Sequence, residues 1–192
     1  MRTDSVTQEI ILASASPRRK ELLEQIGLKF RIEPSLIEEN IEIDDPVLLV
    51  SELSKIKAND VWQSNKNSCI IAADTIVFAK GKVLGKPTDR AEGEQMLKCL
   101  SGKKHTVYTG ITVQDMNGTI TEVSATDVYF KELSQKAIDE YLDTNEYSDK
   151  AGAYGIQGYA ARFVEKICGC YFNVVGLPLS LLDNILSEKG II

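Results

Sequence analysis

The sequence predicts an α/β protein that has a mixed, strongly twisted sheet with flanking helices and a cleft between two lobes. Short apolar, β-branched runs, which are typical of buried strands, alternate along the chain with stretches whose apolar residues recur at helical spacing. Asn117-Gly118, between two alternating segments, is a strong signal for a hairpin. Between other strands the sequence predicts helices, which are the usual crossover connections between parallel strands. Hairpins and crossovers together predict parallel and antiparallel strands in one sheet.

Composition and charge narrow the class of protein. Of the 192 residues, 43% are hydrophobic and 26% are charged, as in an ordinary globular domain. The formal net charge is −6, and since nucleic-acid-binding domains are usually basic, we expect no nucleic-acid partner. No apolar run approaches the roughly 18–20 residues that span a bilayer, so we expect no membrane association.

The N-terminal segment and the cysteines favour a cytoplasmic protein. Residues 1–9 are polar and lack the apolar core of a signal peptide. The four cysteines have no zinc-ligand spacing, and Cys168-Gly169-Cys170 is too short for a C-x-x-C redox motif, so we expect free thiols in a reducing compartment. We predict one domain over residues 1–192, in which residues 1–9 form a short polar extension.

Apolar and alternating segments predict the strands in order. The segments Ile10–Ala13 and Ile70–Phe78 are apolar almost throughout, which indicates burial on both faces. A turn at Lys80-Gly81-Lys82 predicts a short return strand, and the alternating residues on either side of Asn117-Gly118 predict two long ones. The predicted strands span residues 10–13, 29–34, 70–78, 83–84, 105–113, 119–130, 160–167 and 171–175.

Capping residues predict where the helices begin. Ser16 is placed to cap a helix that runs from Pro17 to about Ile26. Asp45-Pro46 starts an amphipathic helix with Lys57 near its end. Thr88 is the predicted cap of a helix over residues 89–100, and Ser134 is the predicted cap of the next helix. The segment 176–178 precedes the last predicted helix.

A carboxylate interrupts the apolar strand at residues 70–78. Aspartate is depleted in strands, and a buried carboxylate is costly unless it is paired, hydrogen-bonded or bound to a metal. Asp74 therefore either closes a structural hydrogen-bond network or carries a metal ligand or general base into a cleft.

Two arginines stand in the first turn of the first predicted helix, where the helix dipole disfavours cations. One interpretation is that Arg18 and Arg19 both turn to solvent. The other is an anion site, in which backbone N–H groups, the dipole, the hydroxyls of Ser14 and Ser16 and two guanidinium groups converge on phosphate. The second interpretation makes this turn a candidate phosphate-binding segment.

Further charged residues suit a site for a polyphosphate and a metal. Lys57 and Lys86 are cations in unexpected places, and the acidic candidates are Glu38, Glu39, Asp74 and Asp149. A carboxylate pair among them would suit Mg²⁺ or Mn²⁺. Lys57 also has a structural interpretation, as compensation for the helix dipole. The chain has no Walker motif and no dinucleotide-binding glycine motif, and its single histidine, His105, is expected to be structural.

Several motifs of the chain resemble, in order and spacing, those of the Maf family of nucleoside triphosphate pyrophosphatases. They are Ser14–Arg19, Ala73-Asp74-Thr75, Gly85-Lys86-Pro87, Ser101–Gly110, Asp149–Tyr154, Ile156-Gln157-Gly158 and Asn173–Pro178. The resemblance runs from about Ile10 to the C-terminus. It implies an inosine-triphosphatase-like α/β fold with a cleft between lobes, a possible homodimer, and a link of some members to septum formation.

The resemblance also implies hydrolysis of a nucleoside triphosphate between its α and β phosphates, which gives the monophosphate and pyrophosphate, with a divalent metal cation (Mg²⁺ or Mn²⁺). Asp74-Thr75 and Ile156-Gln157-Gly158 resemble the branch that prefers dTTP and UTP, whose task would be to remove excess or non-standard nucleotides. Two alternatives stay open at this point. One is the same chemistry on a modified purine such as 7-methyl-GTP, and the other is a non-catalytic regulator of septum formation.

The matching positions imply roles for individual residues. Asp74 corresponds to the proton acceptor, and Glu39 and Asp74 correspond to the metal side of the site. Residues matching positions tied to substrate choice are Arg18, Thr75 and Gln157. Residues implied to bind phosphate are Ser14, Arg18, Arg19, Lys57 and Lys86.

The segment 146–159 departs from the family pattern. The family often has Glu-Pro before the Asp-Lys-Ala-Gly motif, whereas Glu146 is followed by Tyr147 here. Without the proline we expect a less rigid loop. The glycines that follow, within residues 150–159, indicate either close approach to a ligand or a bent strand.

Overall fold

A computed structural model describes residues 8–38 and 41–192, in which seven strands form one sheet. The strands are β1 (Ile10–Leu12), β2 (Arg31–Ile32), β3 (Cys69–Ala79), β4 (Lys82–Leu84), β5 (Lys104–Asp115), β6 (Gly118–Phe130) and β7 (Val164–Cys168). The α-helices are α1 (Pro17–Gln25), α2 (Pro46–Ser64), α3 (Arg90–Leu100), α4 (Gln135–Leu142), α5 (Tyr171–Val175) and α6 (Leu179–Glu188), and two 3-10 turns span Ala151–Ala153 and Tyr159–Phe163.

The sheet is mixed, as the sequence predicts. Its order is β2-β1-β3-β5-β6-β7, and β1 runs parallel to both of its neighbours. The pairs from β3 through β7 are antiparallel. Because β5 pairs along one edge of β3, the short strand β4 shares the other edge with β1.

Two apolar cores divide one face of the sheet. The first half of β3 packs in a core with α1 and α6, and its second half packs in a core with α3 and α4. Thr75 lies between the two. On the opposite face α2 covers the sheet with two smaller clusters, and Asp74 lies between those. Because neighbouring strand residues point to opposite faces, this polar pair marks the boundary between two lobes on both sides of the sheet.

Helix α2 packs directly against the backbone of β5. Gly110 of β5 is the cross-strand partner of Asp74, and a Cβ atom at Gly110 would lie 2.3 Å from the carbonyl oxygen of Val50 in α2. Only glycine leaves room for this contact. The close packing places the middle of α2, which carries Lys57, over Asp74.

Residues 171–175 form helix α5, so the strand predicted there is wrong. The β-branched run favours a strand locally. However, Asn173 is fully buried, and its amide donates to the Val107 carbonyl and the Thr126 hydroxyl. Gly176, at φ 121°, ends the helix. Tertiary contacts therefore override the local preference.

Two other predicted strands are too long. The strand predicted over residues 29–34 contains only Arg31–Ile32, and both of its residues are exposed at the edge of the sheet. The strand predicted over residues 160–167 begins at Val164, because the chain first makes a 3-10 turn that buries Phe163. Apolar content alone does not distinguish such a turn from a strand.

Two helix predictions also need correction. Asp89 rather than Thr88 caps α3, because the Asp89 side chain accepts the Glu92 N–H while Thr88 donates to the Glu92 carboxylate. Helix α2 continues to Ser64, so Lys57 lies in its middle. The predicted caps Asp45 and Ser134 are confirmed by side-chain hydrogen bonds to the first turns of α2 and α4.

The short polar extension over residues 1–9 stays a prediction. Residues 1–7 lie outside the described residues, but the Glu9 carbonyl already accepts the Cys69 N–H at 2.8 Å, beside β1. The single domain over residues 1–192 stays a prediction. All four cysteines are free, as predicted. In the part of the chain that the structure describes, no helix has both the length and the apolar character that crossing a membrane requires.

Candidate active site

The edge of β3 is open in its middle. On this edge β1 pairs with β3 as far as Ile71, and β4 begins to pair at Val77. Within the described ranges, no strand pairs here with residues 72–76. A cleft of about 750 Å³ opens at this gap. Because the gap gives access to both faces of β3, Asp74 and Thr75 line the same cleft although their side chains point to opposite faces.

The cleft brings together the predicted site residues that the structure describes. These residues are Ser14, Arg18, Arg19, Lys57, Asp74, Thr75, Lys86 and Gln157. Glu39, the other acidic residue predicted on the metal side, lies outside the described residues. The predicted phosphate-binding and specificity positions therefore share one cleft between the lobes.

An ion pair satisfies the buried carboxylate. Asp74 is 7% exposed, and the Lys57 Nζ atom donates to its Oδ1 atom at 2.5 Å. An opposite charge this close offsets the cost of removing a carboxylate from water. Both residues also line the cleft. The interpretation of Lys57 as dipole compensation is wrong, because it lies in the middle of α2 and points to Asp74.

The segment between β1 and α1 holds a hydrogen-bond network around Arg19. Its guanidinium group donates to the Ser14 hydroxyl at 3.1 Å, the Thr75 hydroxyl at 3.2 Å and the Gly176 carbonyl at 2.9 Å. The Ser14 hydroxyl also accepts the Ser16 N–H. Ser16 stands at the predicted cap position of α1, yet in the described chain its side chain makes no capping bond. The positive end of α1 is therefore built into the cleft wall.

Arg18 reaches from α1 to the glycine-rich segment. Its Nη1 atom lies 3.3 Å from Asp149 Oδ2, and Lys150 Nζ lies 2.7 Å from Asp149 Oδ1. Burial would raise the pKa of the Asp149 carboxyl, but the hydrogen bond and charge of Lys150, together with Arg18, outweigh burial and hold this pKa below its usual value. Since Arg18 and Arg19 both point into the cleft, the interpretation in which they turn to solvent is wrong.

Lys86 and Gln157 differ from the other site residues in their surroundings. Both side chains are exposed and line the cleft. Lys86 follows Gly85, whose carbonyl accepts the Gly152 N–H at 3.0 Å and so ties this loop to the glycine-rich segment. The two loops thus position one cationic and one amide side chain at the cleft.

Close contacts explain the glycine-rich segment. A Cβ atom at Gly158 would lie 2.1 Å from Glu146 Oε2, the atom that accepts the Tyr159 N–H. The segment lines the cleft and contains the 3-10 turn Ala151–Ala153. The interpretation of these glycines as part of a bent strand is therefore wrong. The other interpretation, close approach to a ligand, stays a prediction.

His105 lies in the core and does not line the cleft. Its Nε2 atom is 2.7 Å from the Tyr154 hydroxyl, and its ring packs edge-on against Phe130. The residue is 2% exposed, and burial lowers the pKa of its imidazole to about 4. The prediction that this histidine is structural is confirmed.

The family described as Maf-like protein matches residues 9–189. The chain belongs to the Maf family. The membership predicted from the motifs is thus confirmed.

Relatives in the Maf family are similar over almost the whole chain. A protein of Carboxydothermus hydrogenoformans named dTTP/UTP pyrophosphatase is 49% identical over 184 residues, which are 95% of this chain and 99% of that protein. Proteins with the same name from Bacillus pumilus and Thermosipho africanus are 48% and 47% identical, with 97% and 95% of their lengths covered. These relatives carry the name of the branch predicted from the motifs.

A solved structure shows a weaker likeness. It is the crystal structure of a nucleoside-triphosphatase / dITP/XTP pyrophosphatase from Mycobacterium abscessus, which is 12% identical with a TM-score of 0.43. The alignment covers 66% of this chain and 76% of that chain. A likeness of this size supports no argument.

Tyr147 anchors the loop at the position where the Maf family often has proline. Its side chain is 8% exposed and packs in the core with α3 and α4. A Cβ atom at Gly93 of α3 would lie 2.9 Å from Tyr147 Cδ2. Lys150 Nζ donates to the carbonyl of Glu146, the preceding residue. These contacts offset the loss of rigidity that we expect from the missing proline.

Sequence reasoning missed the polar residues that support the cleft from behind. Thr109 and Asn173 are both 0% exposed, and the Thr109 hydroxyl contacts the Thr75 hydroxyl at 2.9 Å and the Asn173 carbonyl at 3.1 Å. The sequence assigns no role to Lys150 and marks Asp149 only as an acidic candidate. All four lie within or next to motifs that resemble those of the Maf family. Their place in these motifs is the sequence signal that could have identified them.

The donor set of the cleft fits a cation shared with substrate. Among residues 8–38 and 41–192, there is no group of three or more acidic, histidine or cysteine side chains that could hold a metal ion. Of the described residues, Asp74 and Asp149 are the acidic ones that line the cleft. Mg²⁺ in nucleotide-processing sites is usually held by one or two carboxylates together with substrate phosphates and water. Asp74 can serve as one carboxylate in that mode.

Proposed function

We propose that this chain is a nucleoside triphosphate pyrophosphatase that hydrolyses dTTP and UTP to the monophosphate and pyrophosphate. The observation that carries the proposal is the ion-paired Asp74 carboxylate, placed in one cleft with several cations suited to a polyphosphate. Relatives that cover nearly the whole chain bear the name dTTP/UTP pyrophosphatase, which supports the choice of substrates. Its task would be to remove excess or non-standard nucleotides.

In the proposed complex, the triphosphate lies against the start of α1. It brings about four negative charges, which the helix dipole and the neighbouring cations offset. The proposed phosphate-binding residues are Ser14, Arg18, Arg19, Lys57 and Lys86. Their position in one cleft supports this assignment.

Asp74 is the proposed proton acceptor. The bond from Lys57 Nζ to Asp74 Oδ1 holds the carboxylate in one orientation. Asp74 then takes a proton from the water molecule that attacks the α phosphorus. The new P–O bond replaces the bond to the β phosphate, and pyrophosphate leaves.

A divalent cation, Mg²⁺ or Mn²⁺, is the proposed cofactor. When bound, such an ion polarises the phosphoryl group that water attacks. Asp74 would hold it together with substrate oxygens, and Glu39 is the second residue proposed on that side.

Gln157, Thr75 and Arg18 are the proposed specificity positions. The Gln157 side chain is exposed in the cleft, where its amide can donate and accept hydrogen bonds at once. Uracil and thymine present adjacent carbonyl and N–H groups, which suit such an amide. A homodimer, a cytoplasmic location and the absence of a nucleic-acid partner stay predictions from the sequence.

Pyrophosphate release across a panel of common and modified triphosphates tests the proposed function. With Mg²⁺ or Mn²⁺ present, we expect the highest kcat/KM for dTTP and UTP. A strong preference for 7-methyl-GTP would contradict the pyrimidine substrates but not the chemistry. No release from any nucleotide with either metal would contradict the enzyme and favour a non-catalytic regulator.

Asp74→Asn should remove most turnover and leave the fold intact, because an amide cannot accept the proton. We expect kcat for dTTP to fall at least about 100-fold, measured by pyrophosphate release with circular dichroism as a check on folding. Asp127→Asn is the matched control, since this carboxylate of β6 pairs with Lys104 at 2.9 Å and does not line the cleft. Hydrolysis of dTTP at the parent rate by Asp74→Asn would contradict the assignment.

A further inference from the structure

The hydroxyl of Thr75 is surrounded by protein groups. It lies 3.2 Å from Arg19 Nη2, 2.9 Å from Thr109 Oγ1 and 3.5 Å from the Gly176 carbonyl. A hydroxyl has one proton and two lone pairs. Arg19 can only donate, so it takes one lone pair of Thr75. The other two contacts decide where the Thr75 proton points.

Thr109 fixes that proton from inside the sheet. The Thr109 hydroxyl donates its single proton to the Asn173 carbonyl at 3.1 Å. Toward Thr75 it can therefore only accept a hydrogen bond. Thr75 therefore donates its proton to Thr109 at 2.9 Å and not to the Gly176 carbonyl at 3.5 Å. Thr109 and Asn173 are both 0% exposed and cannot touch a ligand in the cleft.

Helix α5 holds the far end of this chain of bonds. The Asn173 side-chain amide donates to the Val107 carbonyl at 3.0 Å and to the Thr126 hydroxyl at 2.9 Å. Thr126 in turn accepts the Cys170 N–H and donates to the Cys170 carbonyl. The position of the Thr109 hydroxyl is thus determined by buried contacts to β5, β6 and α5.

We propose that Thr109 is a positioning residue for the nucleotide site, acting through Thr75 on the guanidinium group of Arg19. In this arrangement Thr75 presents a lone pair to Arg19 and does not donate to the nucleotide. The proposal rests on the proposed function, which gives Arg19 the polyphosphate as its ligand. Thr109 therefore affects how tightly the triphosphate binds although it never contacts it.

Steady-state kinetics of Thr109→Val test the proposal, because valine keeps the shape of threonine and removes the hydroxyl. We expect KM for both dTTP and UTP to rise about tenfold, as loss of one oriented hydrogen bond in the site would cause. Partial unfolding would lower kcat by reducing the amount of active enzyme and would leave KM unchanged. Thr109→Ser, which retains the hydroxyl, should return KM to within about twofold of the parent.

Thr112→Val is the matched control on the same strand. Thr112 is also 0% exposed, and its hydroxyl also makes two hydrogen bonds, to Ser54 and Thr121, but it does not contact the Arg19 network. We expect it to lower the melting temperature as much as Thr109→Val does while KM stays at the parent value. The double variant Thr75→Val with Thr109→Val should have a KM no higher than Thr75→Val alone, since both remove the same path.

The outcomes separate this inference from the function on which it rests. If the parent releases no pyrophosphate from dTTP or UTP, both proposals are overturned. If the parent is active and Thr109→Val has a KM within twofold of it, only the positioning role is overturned. Should Thr109→Val fail to fold, Thr109→Cys replaces it, and because a thiol is the weaker hydrogen-bonding group, KM must still rise at least about threefold.

Discussion

In the proposed complex, the triphosphate replaces the ion pair between Arg18 and Asp149. The pair is 3.3 Å long and joins side chains that are 28% and 58% exposed. Exposed pairs contribute about 1 kcal/mol or less to stability, because water and salt screen them. A phosphate oxygen can therefore take over Arg18 at small cost.

Asp149→Asn should lower KM for dTTP, because it removes the charge that competes with phosphate for Arg18. The expected decrease is up to about fivefold, the equilibrium equivalent of an exposed ion pair. Initial rates of pyrophosphate release at low salt measure it. Asp143→Asn is the control, since Asp143 pairs with Arg90 at 2.9 Å away from the cleft and should leave KM unchanged. A higher KM for Asp149→Asn would show instead that this carboxylate assists binding.

Broken local rules made the candidate residues visible in the sequence, but their partners were not visible. Asp74 interrupts an apolar strand, and Arg18 stands at the positive end of a helix. The partner of Asp74 is 17 positions away and that of Arg18 is 131 positions away. No local pattern connects residues at such separations. The pairing depends on how α2 and the glycine-rich segment pack, which only the folded chain determines.

At the scale of elements, the contact between α2 and β5 sets the distance from Lys57 to Asp74. Gly110 lies opposite Asp74, and the carbonyl of Val50 occupies the space beside its Cα atom. Any side chain there pushes α2 away from the sheet. The site therefore depends on a glycine that makes no contact with the cleft.

Gly110→Ala should lower both stability and turnover. The added methyl group overpacks the interface, which should reduce the free energy of unfolding by about 1–3 kcal/mol and separate Lys57 from Asp74. Urea unfolding and pyrophosphate release measure the two effects. Gly85→Ala is a control for stability alone, because no atom lies within 4 Å of a Cβ there. Equal free energies of unfolding for the two variants would show that α2 shifts at no cost.

Elements with strong local signals were predicted correctly, whereas elements held by tertiary contacts were not. The caps Asp45 and Ser134 identified the starts of α2 and α4, since capping is a property of a few consecutive residues. Helix α5 was predicted as a strand because its β-branched residues favour one. Its buried Asn173, bonded to β5 and β6, is what makes the helical turn the stable choice.

At the scale of the whole molecule, the buried histidine should make stability depend on pH. Burial lowers the pKa of His105 to about 4 in the folded chain, against an ordinary value of about 6.5. Between these values the unfolded chain binds the proton more readily, so the free energy of unfolding falls as pH falls. The stabilising difference is fully present above pH of about 6.5.

Between pH 7.5 and pH 5 we expect the free energy of unfolding to fall by about 2 kcal/mol. Urea unfolding at the two pH values measures it, and His105→Gln should show a much smaller difference because the chain contains one histidine. Carboxyl groups with lowered pKa values add losses of the same sign, but they titrate chiefly below this range. An unchanged slope in His105→Gln would show that another group is responsible.

The overall class follows from pattern, but the position of the cleft does not. Alternating and helical spacing, with one hairpin signal, predict an α/β chain with a mixed sheet, and the structure confirms both. The gap at residues 72–76 depends on where β1 stops and where β4 starts along the same edge. That register results from the packing of two cores, and the sequence does not display it locally.

The same gap bears on the risk of aggregation through strand edges. Unpaired strand edges attract strands from other chains and are frequent starting points of aggregation. At roughly 3.3 Å per residue, residues 72–76 leave about 17 Å of this edge without a strand partner in the described ranges. Strands β1 and β4 close this stretch at its two ends, and the charges of Asp74 and Lys57 lie along it. A foreign strand would have to displace both neighbours, whereas a small molecule enters without doing so.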